Sequence, residues 1–194
     1  MAFPPINQAL DRALADQGYA DPTPVQSAVL EAEALGRDLL VSAQTGSGKT
    51  VAFGLSMAPT IMGEADSFGD AGAPLALIIA PTRELAMQVT RELEWLYAKS
   101  GARIVSCVGG MDPRREQRQL YSGCHIVVGT PGRLRDHIDR AHLDVSALRA
   151  VVLDEADEML DLGFREDLEA ILDTTPEDRR TLLFSATIAR EIAA

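Results

Sequence analysis

Short runs of consecutive apolar, often β-branched residues alternate along this chain with longer stretches in which apolar positions recur every third or fourth residue. The runs at 38–43, 75–80, 103–108, 125–129, 150–153 and 181–185 predict strands. They are apolar at successive rather than alternate positions, so each strand is expected to be buried on both faces. Helical spacing occupies 48–61, 83–99, 112–121, 131–139 and 164–173, and an amphipathic helix over 6–17 precedes the first strand. Strand followed by helix, repeated, implies an α/β fold with a central, mainly parallel sheet flanked by helices on both faces. Ligands of such sheets sit at the carboxyl ends of the strands, which makes the residues just after each strand the candidates for chemistry. Between the first two strands, 63–74 is rich in Gly, Ala, Asp and Ser and reads as a flexible surface loop rather than a domain boundary. The chain stops at Ala194 as another helix begins, which reads as a truncation.

Composition adds limits to this picture. A length of 194 residues suits one domain with one core, and no apolar run is long enough for a membrane helix. The start, Met1-Ala2-Phe3-Pro4-Pro5, lacks the basic and apolar segments of a secretory signal, and Cys107 and Cys124 are the two cysteines, so a reducing, cytoplasmic setting is expected. No histidine or third cysteine stands at metal-ligand spacing from them, so both read as buried free thiols. His125, His137 and His142 show no paired spacing and read as structural or exposed. A net charge of −11 argues against a polyanion partner, but residues 83–140 hold ten basic against seven acidic side chains. That middle third is where a polyanion could bind.

The first strand runs into Ala43-Gln44-Thr45-Gly46-Ser47-Gly48-Lys49-Thr50, a phosphate-loop pattern with Ala43 in place of the first glycine. Gly46 and Gly48 allow successive amides to point inward, and the following helix adds the positive end of its dipole. Lys49 would hold the β and γ phosphates and Thr50 would offer its hydroxyl to magnesium. The fifth strand delivers Asp154-Glu155-Ala156-Asp157 to the same sheet edge. Asp154, at the strand end, suits magnesium coordination; Glu155, one residue on, suits orienting and deprotonating the water that attacks the γ phosphate.

With these motifs the chain resembles, over nearly its whole length, the N-terminal RecA-like P-loop domain of DEAD-box ATP-dependent RNA helicases. Gly18 to Gln26, including Tyr19, is similar to the family's Q motif, and the resemblance implies that Gln26 reads adenine while an upstream aromatic, here Phe3, stacks on the base. Pro81-Thr82-Arg83 resembles motif Ia, Gly109-Gly110 the GG segment, and Thr130-Pro131-Gly132-Arg133 motif Ib, the segments with which the family grips single-stranded RNA. Hydroxyls, small residues and amides at helix starts suit a sugar-phosphate backbone held without reading bases, with arginine supplying charge. Ser185-Ala186-Thr187 resembles motif III, whose hydroxyls in the family bond the last aspartate of the DEAD segment, here Asp157.

The resemblance implies residues 1–26 as an N-terminal helix with the Q motif and 27–194 as the core, ATP and Mg2+ as cofactors, and RNA as partner. A second, C-terminal RecA-like domain of the same protein would supply arginines to the γ phosphate, so this domain by itself is expected to be monomeric and to bind ATP with little turnover. In the whole enzyme, cooperative binding of ATP and RNA would close the domains and bend one strand out of a short duplex. Two other classes stay open: a nucleotide and RNA clamp without hydrolysis, and a DNA-directed ATPase on the same core.

Overall fold

The computed structural model describes residues 2–187; the helical pattern read beyond Thr187 falls outside them. In chain order the elements are α1 (Gln8–Asp16), α2 (Pro24–Val29), β1 (Leu39–Ser42), α3 (Lys49–Met62), β2 (Ala76–Ile79), α4 (Arg83–Leu96), β3 (Ile104–Cys107), α5 (Pro113–Tyr121), β4 (Ile126–Gly129), α6 (Pro131–Asp139), β5 (Ala150–Leu153), α7 (Ala156–Asp161), α8 (Arg165–Thr174) and β6 (Arg180–Ser185). Local chemistry sets several of the helix starts. Asn7 Oδ1 accepts the amides of Ala9 and Leu10 at the head of α1, and the Thr82 hydroxyl accepts the Leu85 amide at the head of α4. At α2, Thr23 and Gln26 cap each other reciprocally with Pro24 in the first turn.

The six strands form one sheet in the order β1-β6-β5-β2-β4-β3, and every pairing is parallel. Successive residues of the strands feed two cores. Ile78, Val128, Val152 and Phe184 pack with Leu10, Phe53 and Leu93 from α1, α3 and α4, whereas Leu77, Ile79, Val127 and Val151 pack with Leu134, Met159 and Ile171 from α6, α7 and α8. This is the period-2 alternation of a sheet that carries helices on both faces. Phe53 meets Phe184 edge-on, with centroids 5.5 Å apart, tying the phosphate-loop helix to the sheet.

Two expectations change. Burial on both faces holds for β2, β4 and β5, but β3 alternates between buried and half-buried residues and β1 between half-buried and exposed ones, with Leu40 43% exposed. Those two strands are the edges of the sheet, where helix cover thins out. The stretch 63–74 is not a loose loop. Asn7 Nδ2 donates to the Ala65 carbonyl, the Phe68 amide to the Ser100 carbonyl, and Gly72 bridges Cys124. His125 accepts the Arg103 amide at Nδ1, so its Nε2–H donates to the Gly69 carbonyl while its ring stacks on Phe68.

Candidate nucleotide and nucleic-acid site

The turn from β1 into α3 has the backbone form of a phosphate-binding loop. Gly46 and Gly48 stand at φ +81° and +80°, a region that side chains with a Cβ enter only under strain. A Cβ on Gly48 would also lie 2.5 Å from Gln26 Nε2, so glycine is required there twice over. The Ala43 amide donates to the Ser185 carbonyl, which fixes the entry of the loop to the end of β6.

Lys49 and Thr50 open α3, each about 6% exposed, and the Lys49 ammonium lies 3.0 Å from both Asp154 Oδ1 and Glu155 Oε1. Asp154 is fully buried at the end of β5, and neither of its oxygens receives a hydrogen bond of good geometry among the described residues. Burial raises its pKa above the usual carboxylate range, against the pull of the Lys49 charge. Burial would lower Lys49, but the two carboxylates outweigh it and hold the ammonium above its ordinary value. Two carboxylates against one ammonium leave an excess of negative charge, and the Asp154 carboxylate, whose one close partner is Lys49, is the kind of oxygen donor a divalent cation takes. The residues present therefore fit magnesium, with Asp154 and Thr50 the groups that would hold it.

Glu155 is in the left-handed conformation, φ 53° and ψ 52°, which costs about 1 kcal/mol or more for a residue with a side chain. It stands at the N-cap of α7 without capping it; the carboxylate accepts from Lys49 and Thr45 instead. Burial would raise Glu155, but hydrogen bonds from Glu158, Lys49 and Thr45 hold it below the ordinary value. Its neighbour one turn on, Glu158, shares a hydrogen bond with it and is pushed up to about 7. The folded protein thus binds one more proton at Glu158 than the unfolded chain does between pH 4.5 and 7. Stability contributed here falls as pH rises through that window and levels off above it. Melting temperatures of Glu158→Gln and the parent should therefore diverge from pH 5 to 7.5, the variant keeping more of its stability at the alkaline end. Parallel curves would show that the two carboxyls do not share a proton.

Two residues beyond the end of β6, Thr187 reaches Asp157 Oδ2 through its hydroxyl at 3.0 Å and its amide at 3.2 Å. Burial would raise Asp157, but the Thr187 contact keeps it below the usual range. The Ser185 hydroxyl also reaches Asp157 and helps to hold it down, besides contacting the Thr187 carbonyl.

Gln26 is fully buried, and both ends of its amide are engaged within the chain: Oε1 accepts the Thr23 amide and Nε2 donates to the Gly48 carbonyl. It is held against the phosphate loop. Phe3 and Tyr19 come together elsewhere, in the walls of a cavity shared with Pro5, Leu14 and Ala15 that includes neither Gln26 nor the loop. Tyr19 also packs on Trp95, with centroids 5.4 Å apart.

The strand order divides the carboxyl edge of the sheet. β1, β6 and β5 carry Ala43–Thr50, Ser185–Thr187 and Asp154–Asp157, while β2, β4 and β3 carry Pro81–Arg83, Thr130–Arg133 and Gly109–Gly110 side by side. Gly109, Gly110 and Gly132 are exposed, and Thr82 and Thr130 stand at the N-caps of α4 and α6. Arg83 packs its guanidinium over Gly110 and bonds Met111 Sδ. Arg133, read as a source of charge, turns inward: it is 2.9 Å from Glu116 Oε1 and donates to the Met111 carbonyl.

Glu116 is the residue that sequence spacing missed. Its carboxylate takes Arg133 and His137 on Oε1 and the Val108 amide on Oε2, joining the turn after β3 to the start of α6. The same folding brings Cys107, Glu116 and His137 within 4.8 Å of one another, a proximity no spacing announces. Glu116 is already saturated by Arg133, His137 and an amide, and burial pushes the Cys107 thiol far up. Burial also pushes Cys124 up to about 12, so both cysteines are protonated, buried and free.

The family model described as DEAD/DEAH box helicase matches residues 23–194. The chain belongs to that family. Among curated DEAD/DEAH box relatives, the ATP-dependent RNA helicase CshA of Limosilactobacillus reuteri is 44% identical over 187 residues, 96% of this chain and 36% of that protein. The DEAD-box ATP-dependent RNA helicase CshA of Geobacillus kaustophilus is 43% identical over 183 residues, 94% of this chain and 38% of that protein. The chain thus spans little more than a third of these helicases. The crystal structure of a DEAD box protein from the hyperthermophile Methanococcus jannaschii superposes with a TM-score of 0.84 at 36% identity, covering 98% of this chain and 50% of that one.

Proposed function

We propose that this DEAD/DEAH box chain is the ATP-binding half of an ATP-dependent RNA helicase, acting in the cytoplasm. The Lys49 ammonium held 3.0 Å from both Asp154 and Glu155 at the mouth of the phosphate loop carries the reading. Before nucleotide arrives, Lys49 neutralises Glu155. Triphosphate entering the cradle is a stronger attractor for the ammonium, and its charge on Lys49 releases the Glu155 carboxylate to orient a water and take its proton. Bound magnesium would supply charge neutralisation on the phosphates, held through Asp154 and Thr50. Gln26, against the Gly48 carbonyl, sets the loop; turning toward a base would require it to leave that contact.

RNA lies across the β2, β4 and β3 ends in this reading, its phosphates on the Thr82, Gly109–Gly110 and Gly132 amides, the Thr130 hydroxyl and Arg83, with Arg133 as a brace. Such contacts are blind to sequence. The Asp157–Thr187 bond joins the ends of β5 and β6 within the nucleotide half, and β5 is the strand beside β2, which carries the Arg83 segment. Efficient turnover and strand separation would need a second RecA-like domain to bring arginines to the γ phosphate, a contribution of about three to five orders of magnitude.

The test is phosphate release by the chain, with single-stranded RNA or DNA of one sequence, alongside nucleotide binding. Nucleotide binding with turnover near the blank, rising under RNA but not DNA once the remainder of a full-length protein is present, is expected. Glu155→Gln should lower that stimulated turnover at least about 100-fold with nucleotide affinity kept. Brisk turnover by the chain alone would show that it supplies its own catalytic arginine, and equal stimulation by DNA would favour a DNA-directed ATPase.

A further inference from the structure

Helix α5 begins three residues after Gly110 and descends the flank of β3, at the edge of the sheet. Glu116 and Leu120 turn inward from it, while Arg114, Arg118 and Tyr121 follow one another at i, i+4 and i+7, a spacing that aligns them on one face over about 10 Å of helix axis. In a chain with eleven more acidic than basic residues, the guanidinium groups of Arg114, Arg115 and Arg118 have no partner among the described residues. The carboxylates nearby are committed elsewhere: Asp112 caps the Arg114 amide, Glu116 is buried with Arg133 and His137, and Asp144 accepts from Ser146. At the foot of the stripe Tyr121 is 93% exposed, the most exposed of the large hydrophobic side chains, and Arg103 is exposed beside it, bonding the Ser122 carbonyl. Tyr121 also borders a cavity of about 270 Å³ whose walls include Gly72, Ala73 and Pro74.

We infer that the outer face of α5 is an additional contact for single-stranded RNA, taking the strand as it leaves the Gly109–Gly110 turn. This rests on the RNA-binding reading above. Arg114 and Arg118 pair with successive phosphates, and Tyr121 offers its ring to a base whose edge enters the neighbouring cavity. An exposed aromatic beside unpaired arginines is the combination that binds unpaired strands without reading them, since any base has a face to stack. Stacked pairing to a duplex would leave the ring idle, which selects a single strand as occupant.

The deciding experiment measures affinity of the chain for single-stranded RNAs of about 6 and about 12 nucleotides, lengths that bracket the grip alone and the grip plus α5. Salt is varied, and parent, Arg114→Gln/Arg118→Gln and Tyr121→Ala are compared, with nucleotide binding as the check of folding. The double variant should bind the longer RNA about tenfold more weakly, with its log–log salt slope reduced by about 1.4, and leave the shorter RNA unchanged. Tyr121→Ala should weaken the longer RNA by a similar factor without altering the slope. Unchanged affinity in the variants, or equal losses on both lengths, overturns the α5 contact while leaving the grip intact. Parent protein that binds neither RNA overturns the RNA reading itself.

Discussion

Lys49→Ala is expected to weaken nucleotide binding roughly 100-fold and, separately, to destabilise the protein by about 3 kcal/mol near neutral pH. The second effect follows from Asp154. Its carboxylate is fully buried, without a hydrogen bond of good geometry among the described residues, so the ammonium at 3.0 Å is what makes its charge tolerable. Truncating Lys49 leaves that charge uncompensated in a low dielectric. Because Asp154 is already raised above the ordinary carboxylate range, the loss should shrink as pH falls and the acid takes up its proton. It should grow with pH once the parent's Asp154 ionises and be full only where the variant's Asp154, deprived of the ammonium, ionises as well. Lys49, raised above its ordinary value, stays charged throughout this range. Urea unfolding at pH 5 and pH 8 measures both limbs, and adding Asp154→Asn should restore most of the stability without restoring nucleotide binding. A Lys49→Ala protein as stable as the parent at pH 8 would show that the pair contributes nothing to the fold.

Arg180→Ala is expected to cost about 3–5 kcal/mol. Arg180, at the first position of β6, is 5% exposed, and its guanidinium donates to the carbonyls of Ala34, Arg37 and Ser56 and to the hydroxyls of Ser56 and Thr60. It ties the turn before β1 to the second half of α3 from below the sheet, at the end away from the nucleotide. Its loss strands several acceptors at once. Arg180→Lys should recover less than half of that stability, because an ammonium cannot reach a fork of acceptors. Nucleotide affinity of the folded fraction should stay within about threefold of the parent, since the phosphate loop is anchored independently through Gln26 and the Ser185 carbonyl. Chemical unfolding with binding measured on the folded protein separates the two effects; a cost under 1 kcal/mol would mean the acceptors find water when the arginine is gone.

Much of this protein was legible in the sequence because the physics involved is local. Successive apolar residues in 75–80, 125–129 and 150–153 announced strands covered on both sides, and β2, β4 and β5 are. The phosphate loop and the DEAD segment were found where strands end, since glycine spacing and carboxylates adjacent in sequence are carried to the same sheet edge by any parallel arrangement of these strands. The short helices α2 and α7 escaped, being six residues each and too short to show a period.

What only the tertiary structure decided is everything that depends on strand order. Three of the five pairings, β1–β6, β5–β2 and β2–β4, join strands that are not consecutive in sequence, so nothing local told that β2, β4 and β3 would set the Arg83, Thr130 and Gly110 segments side by side, away from the nucleotide half. The same holds for side chains whose partners lie far along the chain. Arg133 read as a source of charge and is paired with Glu116; Gln26, which the resemblance implies as an adenine reader, bonds the Gly48 carbonyl; Arg180 read as nothing at all and holds 34–60 to the sheet. The sequence determined which groups arrive at the edge of the sheet, because periodicity and turn chemistry act within a few residues. The packing of distant segments determined which of those groups remain free to act, because a charge or an amide is used up by whatever the fold places 3 Å away.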